Sequence, residues 1–205
     1  MEELKETILF ATSCVSTYLK TIDNPSIIES IEQVQKSDTG NRRSNIGGYQ
    51  SHNIFTPNYD NTITAKLFEN YIIPSANKIK DVWEIPNPMN RASYWYNVNP
   101  KYSSNREHAH HNSFLSGVYY IKVPKNSGNI MFLRSQVEAD RLNFISEILF
   151  ANNTDIDTPH LFTEYRMVPQ EGLLLLFPGH LSHYVEQNNT EESDDRRISL
   201  SFNFF

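Results

Sequence analysis

Residues 172–187 read GLLLLFPGHLSHYVEQ. The apolar run 173–177 is bounded by Gly172 on one side and Pro178-Gly179 on the other. It is far too short for a membrane helix, which needs about 20 apolar residues. A short apolar run between turn residues predicts a buried strand. His180 then falls on the turn, and His183 stands where a second, alternating strand begins. The segment predicts strand, tight turn and strand.

The same texture extends outward from it. SYWYNVN (93–99), HAHHN (108–112), SGVYYIKV (116–123), NIMFL (129–133), HLFTEYRMV (160–168) and RISLSFNFF (197–205) are short runs rich in Tyr, Phe, Val and Ile. Gly, Pro, Asn and Ser separate most of them, with clear turn signals at Pro124–Gly128 and Pro169–Gly172. Residues 135–159 fit least and are expected to form a short helix and a polar loop. The front of the chain differs. Leu4, Ile8, Leu9, Val15 and Leu19 have roughly helical spacing over 3–20. Asn24-Pro25-Ser26 starts a helix with Ile27, Ile28, Ile31 and Val34 in one stripe. Residues 38–48 read as loop, and 61–83 as a helix broken near Pro74. The expected class is mainly β with N-terminal helices (α+β), a sandwich, jelly roll or barrel with helices on one outer face. A chain of 205 residues is expected to form one domain. Residues 1–90 would be a helical support region, and 91–205 the β core.

Composition narrows the class of function. The net charge is −6, so no basic field attracts phosphate and nucleic acid is not an expected partner. One cysteine, Cys14, excludes an internal disulfide and fits a reducing, cytoplasmic location. It lies in ILFATSCVSTYL, where a buried small side chain is the expected role. MEELKET (1–7) does not look like a secretory signal. No apolar run approaches membrane-span length, so no membrane partner is expected.

The chemistry concentrates in REHAHHNSFLSGVYY (106–120), which holds His108, His110 and His111. On an extended strand i and i+2 share a face. His108 and His110 would then project together, with His111 pointing away. With His183 they could supply three imidazoles to Fe, Zn, Cu or Ni; a polar surface strand is the plainer alternative. In the last strand Arg197, Ser199, Ser201 and Asn203 share one face, and Ile198, Leu200, Phe202 and Phe204 the other. If the polar face lines a cavity, Arg197 is a fork for a carboxylate and Ser199 a second donor.

These segments together resemble the 2-oxoglutarate/Fe(II)-dependent oxygenases, in the branch with a histidine-rich first motif followed by SGVYY. The resemblance rests on YWYNVN (94–99), H-A-H (108–110) before SFLSGVYYIKVP (113–124), SGNIMF (127–132), VPQEGLLLLFPGHLSHYVEQN (168–188) and RISLSFN (197–203). GGYQS (47–51) adds to it from the front half. The resemblance implies a double-stranded β-helix, a jelly-roll, cupin-like fold. It implies Fe(II) at His108, His110 and His183, with 2-oxoglutarate as co-substrate and O₂ as oxidant. It implies Arg197 and Ser199 as holders of the far carboxylate, helped by a tyrosine of SGVYY, Tyr120 in better register than Tyr119. The implied reaction couples decarboxylation of 2-oxoglutarate to oxidation of a small-molecule or peptide substrate that the sequence does not name.

One departure stands out. The family's usual triad is His-x-Asp/Glu followed by a distant His, and His110 occupies the carboxylate position. Three neutral imidazoles leave a divalent site at +2 rather than +1. Zn or Ni would then compete well with iron. A cupin-type three-histidine dioxygenase that does not use 2-oxoglutarate is therefore the second reading. A non-catalytic jelly-roll binding module is the third. Glu107 points to the opposite face from the two histidines. Trp95, Asn97 and Asn99 share one strand face, facing either a pocket or solvent. Arg134 and Arg141 flank the irregular segment as lid or surface charges. His52 and His160 are read as structural or exposed.

Overall fold

The computed structural model describes residues 12–56, 62–86, 88–149, 162–192 and 195–205, with side chains left undescribed over 143–149. The polar loop NNTDIDT (152–158) expected at the end of 135–159 and His160 lie outside the described residues, as do the first residues of the expected 3–20 helix. The rest of that helix is not found. Val15–Tyr18 is a strand, β1, and Cys14 beside it is exposed rather than packed in a core. The reason lies in the LLLLF run. That run is the buried strand β10 (Leu173–Pro178), and its backbone groups need partners on both edges. One edge is served by β7 (Leu115–Lys122). The other is served by β1, which pairs Val15 with Leu176 and Tyr18 with Leu173.

The helices form where the caps place them. α1 (Asn24–Ser37) starts with the Asp23 side chain accepting from the Ser26 N–H at 3.2 Å and with proline in its first turn. Ile27 and Ile31 are fully buried, and Ile28 and Val34 pack beside them. The break expected near Pro74 is a π-helical turn, Phe68–Ile72, between α2 (Ile63–Leu67) and α3 (Ile73–Val82). Pro74 has no N–H and its ring crowds the carbonyl four residues back, so the backbone widens just ahead of it. The fourth helix, α4 (Gln136–Leu149), lies in the segment expected to contain a short helix.

The short strands β2 (Asn45–Ile46), β3 (Tyr49–Gln50) and β4 (Ile54–Phe55) come from the front half. They join β5 (Ala92–Asn99), β6 (Ser104–His108), β8 (Ile130–Leu133), β9 (Glu164–Met167), β11 (His183–Val185) and β12 (Arg197–Phe204). One sheet runs β1-β10-β7-β12-β5-β3, with β4 also on β5; the other runs β2-β6-β11-β8-β9. Every ladder is antiparallel. Residues before 91 thus contribute strands to both sheets as well as helices.

The larger sheet has two buried faces. Its outer face carries Tyr94, Tyr96, Val98, Tyr119, Ile198, Leu200 and Phe202, packed against the helical residues Ile27, Ile31, Phe68, Ile72 and Ala76. Phe202 fits only because β7 has no side chain at Gly117. A Cβ there would lie 2.4 Å from the Phe202 ring and 2.6 Å from the Leu175 carbonyl oxygen. The inner face looks toward the second sheet in cross-strand rows. Asn99 pairs with Arg197; Gln50, Asn97, Ser199 and Tyr120 form a continuous row; Trp95, Ser201 and Val118 form the next. The period-2 alternation of β5 and β12 therefore sends one set of residues to the helices and the other to a cavity between the sheets.

Candidate metal centre

His183 opens β11 and sits directly across the ladder from His108, the last residue of β6. His110 is not on a strand, although HAHHN reads as one. The chain turns after His108, with the His110 N–H donating to the Gly179 carbonyl at 2.7 Å and the Ser113 N–H to the His110 carbonyl at 3.0 Å. This turn puts His110 back beside the other two rings. The ring centroids are 4.4 Å apart for His108–His183 and 5.2 Å for each of the other pairs. One ring nitrogen from each of the three lies within 4.8 Å of the others. Gly179 makes the close approach possible, because a Cβ there would fall 2.3 Å from Ser113 O and 2.8 Å from His110 O. Gly179→Ala is expected to displace His110 and lower metal affinity about 10–100-fold, the size of an outer-contact effect. A metal titration against wild type checks it.

The rings are held in a ligating state. His108 Nδ1 lies 2.7 Å from the Arg106 carbonyl and His183 Nδ1 2.9 Å from the Leu181 carbonyl. A carbonyl only accepts, so each Nδ1 carries the proton and each Nε2 keeps its lone pair. His110 has a different support, stacking on Trp95 at 5.6 Å and 18°. Phe177 lies edge-on to His183 at 4.9 Å. Burial lowers the pKa of His108. Burial and then the neighbouring His108 push His110 down to about 4 and His183 down to about 3. At neutral pH all three imidazoles are therefore uncharged and need lose no proton to bind a metal. The donor set fits Fe(II), and equally Zn or Ni, with nitrogen only. His111 and His180 are exposed, and neither belongs to the cluster. Glu107 accepts from Ser182 Oγ at 2.8 Å and is not in the cluster either.

A cavity of about 530 Å³ opens from the histidines across the inner face of the large sheet. At its far side Arg197 is 2% exposed. Its Nη1 donates to the carbonyls of Ser127 and Gly128. No carboxylate among the described residues pairs with it. A buried guanidinium with unused donors and no anion is costly to fold and suits an incoming carboxylate. Around it stand Ser199, Tyr120 and Asn99. The Asn99 Nδ2 is buried without a hydrogen-bond partner. Burial pushes the Tyr120 hydroxyl up to about 12, against the pull of Arg197, so it stays a neutral donor. Tyr119 is excluded from this role: its hydroxyl donates to Asn24 Oδ1 at 2.8 Å on the helical side.

Comparison with known proteins agrees with this geometry. The family described as "Putative 2OG-Fe(II) oxygenase" matches residues 93–203. The chain belongs to this family. The oxygenase shares its fold with a prolyl-4-hydroxylase from Pseudomonas putida, at 11% identity and TM-score 0.62, covering 94% of this chain and 92% of that one. It also resembles the non-heme alpha ketoglutarate dependent carbocyclase SnoK from nogalamycin biosynthesis, at 12% identity and TM-score 0.60, covering 94% and 79%. HygX from Streptomyces hygroscopicus, solved with nickel and 2-oxoglutarate bound, matches at 13% identity and TM-score 0.56, covering 94% and 82%. At such identities the likeness shows the common double-stranded β-helix. No curated protein matches the chain. The protein is a 2-oxoglutarate- and Fe(II)-dependent oxygenase, and O₂ and an oxidisable substrate are its further reactants.

In the oxygenase Trp95, Asn97 and Asn99 all face the cavity. Arg134 instead donates to the Phe162 carbonyl at 2.8 Å, and neither it nor Arg141 lines the cavity. His52 is exposed and lies 2.6 Å from Asp38 Oδ1. Sequence reasoning missed Arg43, Gln50, Asn53 and Arg106, which form the cavity's outer wall. The one available signal was GGYQS, which contains Gln50. Among the described residues no helix is long and apolar enough to cross a membrane.

Proposed function

We propose that His108, His110 and His183 hold Fe(II) and that Arg197, Ser199 and Tyr120 hold the distal carboxylate of 2-oxoglutarate. The observation that carries this reading is Arg197, a buried cation with no anion among the described residues, on the strand that follows the His183 strand and in the same cavity as the three histidines. Bound iron supplies the activation of O₂ that couples 2-oxoglutarate decarboxylation, to succinate and CO₂, with hydroxylation of the substrate. The chain's own residues do the rest. Arg197 and Tyr120 fix the co-substrate's orientation. Val118, Ile130, Phe132, Leu175 and Phe177 form an apolar cluster between the sheets, which keeps water from the reacting centre. Trp95 braces His110.

A cupin-type dioxygenase acting without 2-oxoglutarate would suit three imidazoles, but it would leave Arg197 with nothing to hold. The substrate in this reading is a small molecule or a single residue of a peptide, given the cavity of about 530 Å³. Nucleic acid and membrane play no part in it. We place the protein in the cytoplasm, on its single cysteine, and read residues 1–205 as one domain, with 1–90 supporting the 91–205 core.

The test is succinate formation from 2-oxoglutarate under air with Fe(II) and ascorbate. The expected result is slow, substrate-independent succinate release that stops on chelation and returns with Fe(II). Iron-independent release, or none across a broad substrate panel, contradicts the reading. Tyr120→Phe is expected to weaken 2-oxoglutarate binding about tenfold, since one hydrogen bond to a charged group is worth roughly 1.5 kcal/mol. Calorimetry with the redox-inert Mn(II) form measures it.

A further inference from the structure

The cavity does not end at the co-substrate groups. Its outer wall is built by Arg43, Ser44, Gln50 and Asn53, all outside the family match at 93–203. Ser44 Oγ lies 3.4 Å from His108 Nε2, and Gln50 heads the cross-strand row that runs through Asn97 and Ser199 to Tyr120. Arg43 and Asn53 belong to neither proposed group and are available to a third molecule. It is drawn onto the site by the Arg106 N–H, which donates to the Ser44 carbonyl at 2.9 Å, and by the pairing of Asn45 with Asn105. On β6, Arg106 shares strand parity with His108 and so faces the same side. The side chains of Arg43 and Arg106 are exposed and form no ion pair among the described residues.

Two further observations point to a ligand. Gln50 is 4% exposed, borders the cavity, and its carboxamide makes no hydrogen bond among the described residues. It lies across the ladder from Asn97, whose own amide is occupied by Ser201 at 2.9 Å. The Gln50 amide is not among the sealed, unpartnered side-chain atoms; it borders the cavity, where a ligand can pair with it. The charge balance is also one-sided. The cavity lining holds Arg43, Arg106 and Arg197 against one acid, Glu107, which is bonded to Ser182. This cationic lining belongs to a chain of net charge −6.

We propose that the cavity lip is the anchoring site for the primary substrate, a small polar organic anion. Arg43 and Arg106 take its carboxylate or phosphate, and Gln50 a neighbouring hydrogen-bonding group. The proposal deepens the oxygenase reading and rests on it for the location of metal and co-substrate. The guanidinium fork matches either anion, so both are probed.

The test uses the full chain loaded with Mn(II) and saturating 2-oxoglutarate, without O₂. Inorganic phosphate is followed by ³¹P relaxation and carboxyl-labelled acetate by ¹³C relaxation, both enhanced by the paramagnetic ion. The expected result is saturable enhancement of at least one probe. The Arg43→Ala/Arg106→Ala double variant should weaken it about tenfold or more, with 2-oxoglutarate affinity unchanged. No saturable enhancement in the wild type overturns the proposal, and so does equal binding by the double variant. A probe that 2-oxoglutarate displaces and Arg197→Ala abolishes occupies the co-substrate pocket, which also overturns the lip site while leaving the Arg197 reading intact. If 2-oxoglutarate itself binds independently of Arg197, the co-substrate assignment fails. The same probe titration without 2-oxoglutarate then still decides the lip.

Discussion

The Arg197→Ala protein is expected to lose 2-oxoglutarate binding while retaining its metal. Breaking a buried, charge-assisted contact typically costs about 2–5 kcal/mol, or roughly 30-fold to more than 1,000-fold in affinity. The loss falls on the co-substrate alone because Arg197 lies on one sheet, His108 and His183 on the other and His110 on a turn, and Arg197 contributes no ligand atom to the cluster. A second consequence separates function from folding. The guanidinium is 2% exposed, and its partners among the described residues are two carbonyls and no carboxylate, so without ligand its charge has no anionic partner among them. Arg197→Met should therefore fold at least as stably as wild type without ligand. It should lose the rise in melting temperature that 2-oxoglutarate gives the wild type. Calorimetric titration and thermal melts of the Mn(II)-loaded proteins read both effects. Unchanged affinity in Arg197→Ala removes the reason for placing the co-substrate there.

The second large effect is expected at His183. This ring is 4% exposed, its Nδ1 is committed to the Leu181 carbonyl, and its pKa is depressed to about 3. His183→Ala removes one of three nitrogens and leaves a small cavity beside Phe177. Altering an outer contact of a metal ligand costs about 10–100-fold in affinity, so deleting a ligand should cost more than about 100-fold. Iron content after desalting should fall to background, and succinate formation with it. His111→Ala and His180→Ala are the controls. Both rings are exposed and outside the cluster, and both variants should keep their iron. Loss of iron in either control, or its retention in His183→Ala, would redraw the site.

Much of this site is legible in the sequence, for a physical reason. Strands β5, β7, β10 and β12 are long, apolar or alternating, and bounded by turn residues, so pattern alone locates them. The polar and apolar faces of β12 follow from parity, and Arg197 follows from them. What pattern does not decide is context. Trp95, Asn97 and Asn99 alternate with Tyr94, Tyr96 and Val98, and every one of these residues is buried. One set is covered by helices and the other by a cavity, which only the tertiary arrangement distinguishes. Val15–Tyr18 has a residue spacing compatible with a helix, yet the unpaired edge of β10 makes it a strand. The tertiary hydrogen bond wins over local periodicity. His110 reaches the cluster through a turn fixed by Gly179, not through a continued strand, so strand parity selects a residue that joins the cluster by an incomplete geometry. The lip residues Arg43 and Gln50 enter the site only through two-residue strands paired to β6 and β5. Strands that short carry no periodic signal.

His110 also sets the chemistry apart. In the proposed centre, with the His110 nitrogen in place of the usual carboxylate, the site's charge alone does not favour Fe(II) over Zn or Ni. The metal found therefore depends on what is supplied as well as on geometry.

The most direct measurement is a crystal structure grown without O₂ in Fe(II) and 2-oxoglutarate, with data collected on both sides of the iron absorption edge. The expected result is one iron anomalous peak about 2.1 Å from a ring nitrogen of each of His108, His110 and His183, with a carboxylate of 2-oxoglutarate against Arg197 and Tyr120. A peak elsewhere, a His110 ring turned out of the cluster, or a co-substrate carboxylate bound away from Arg197 would contradict the assignment.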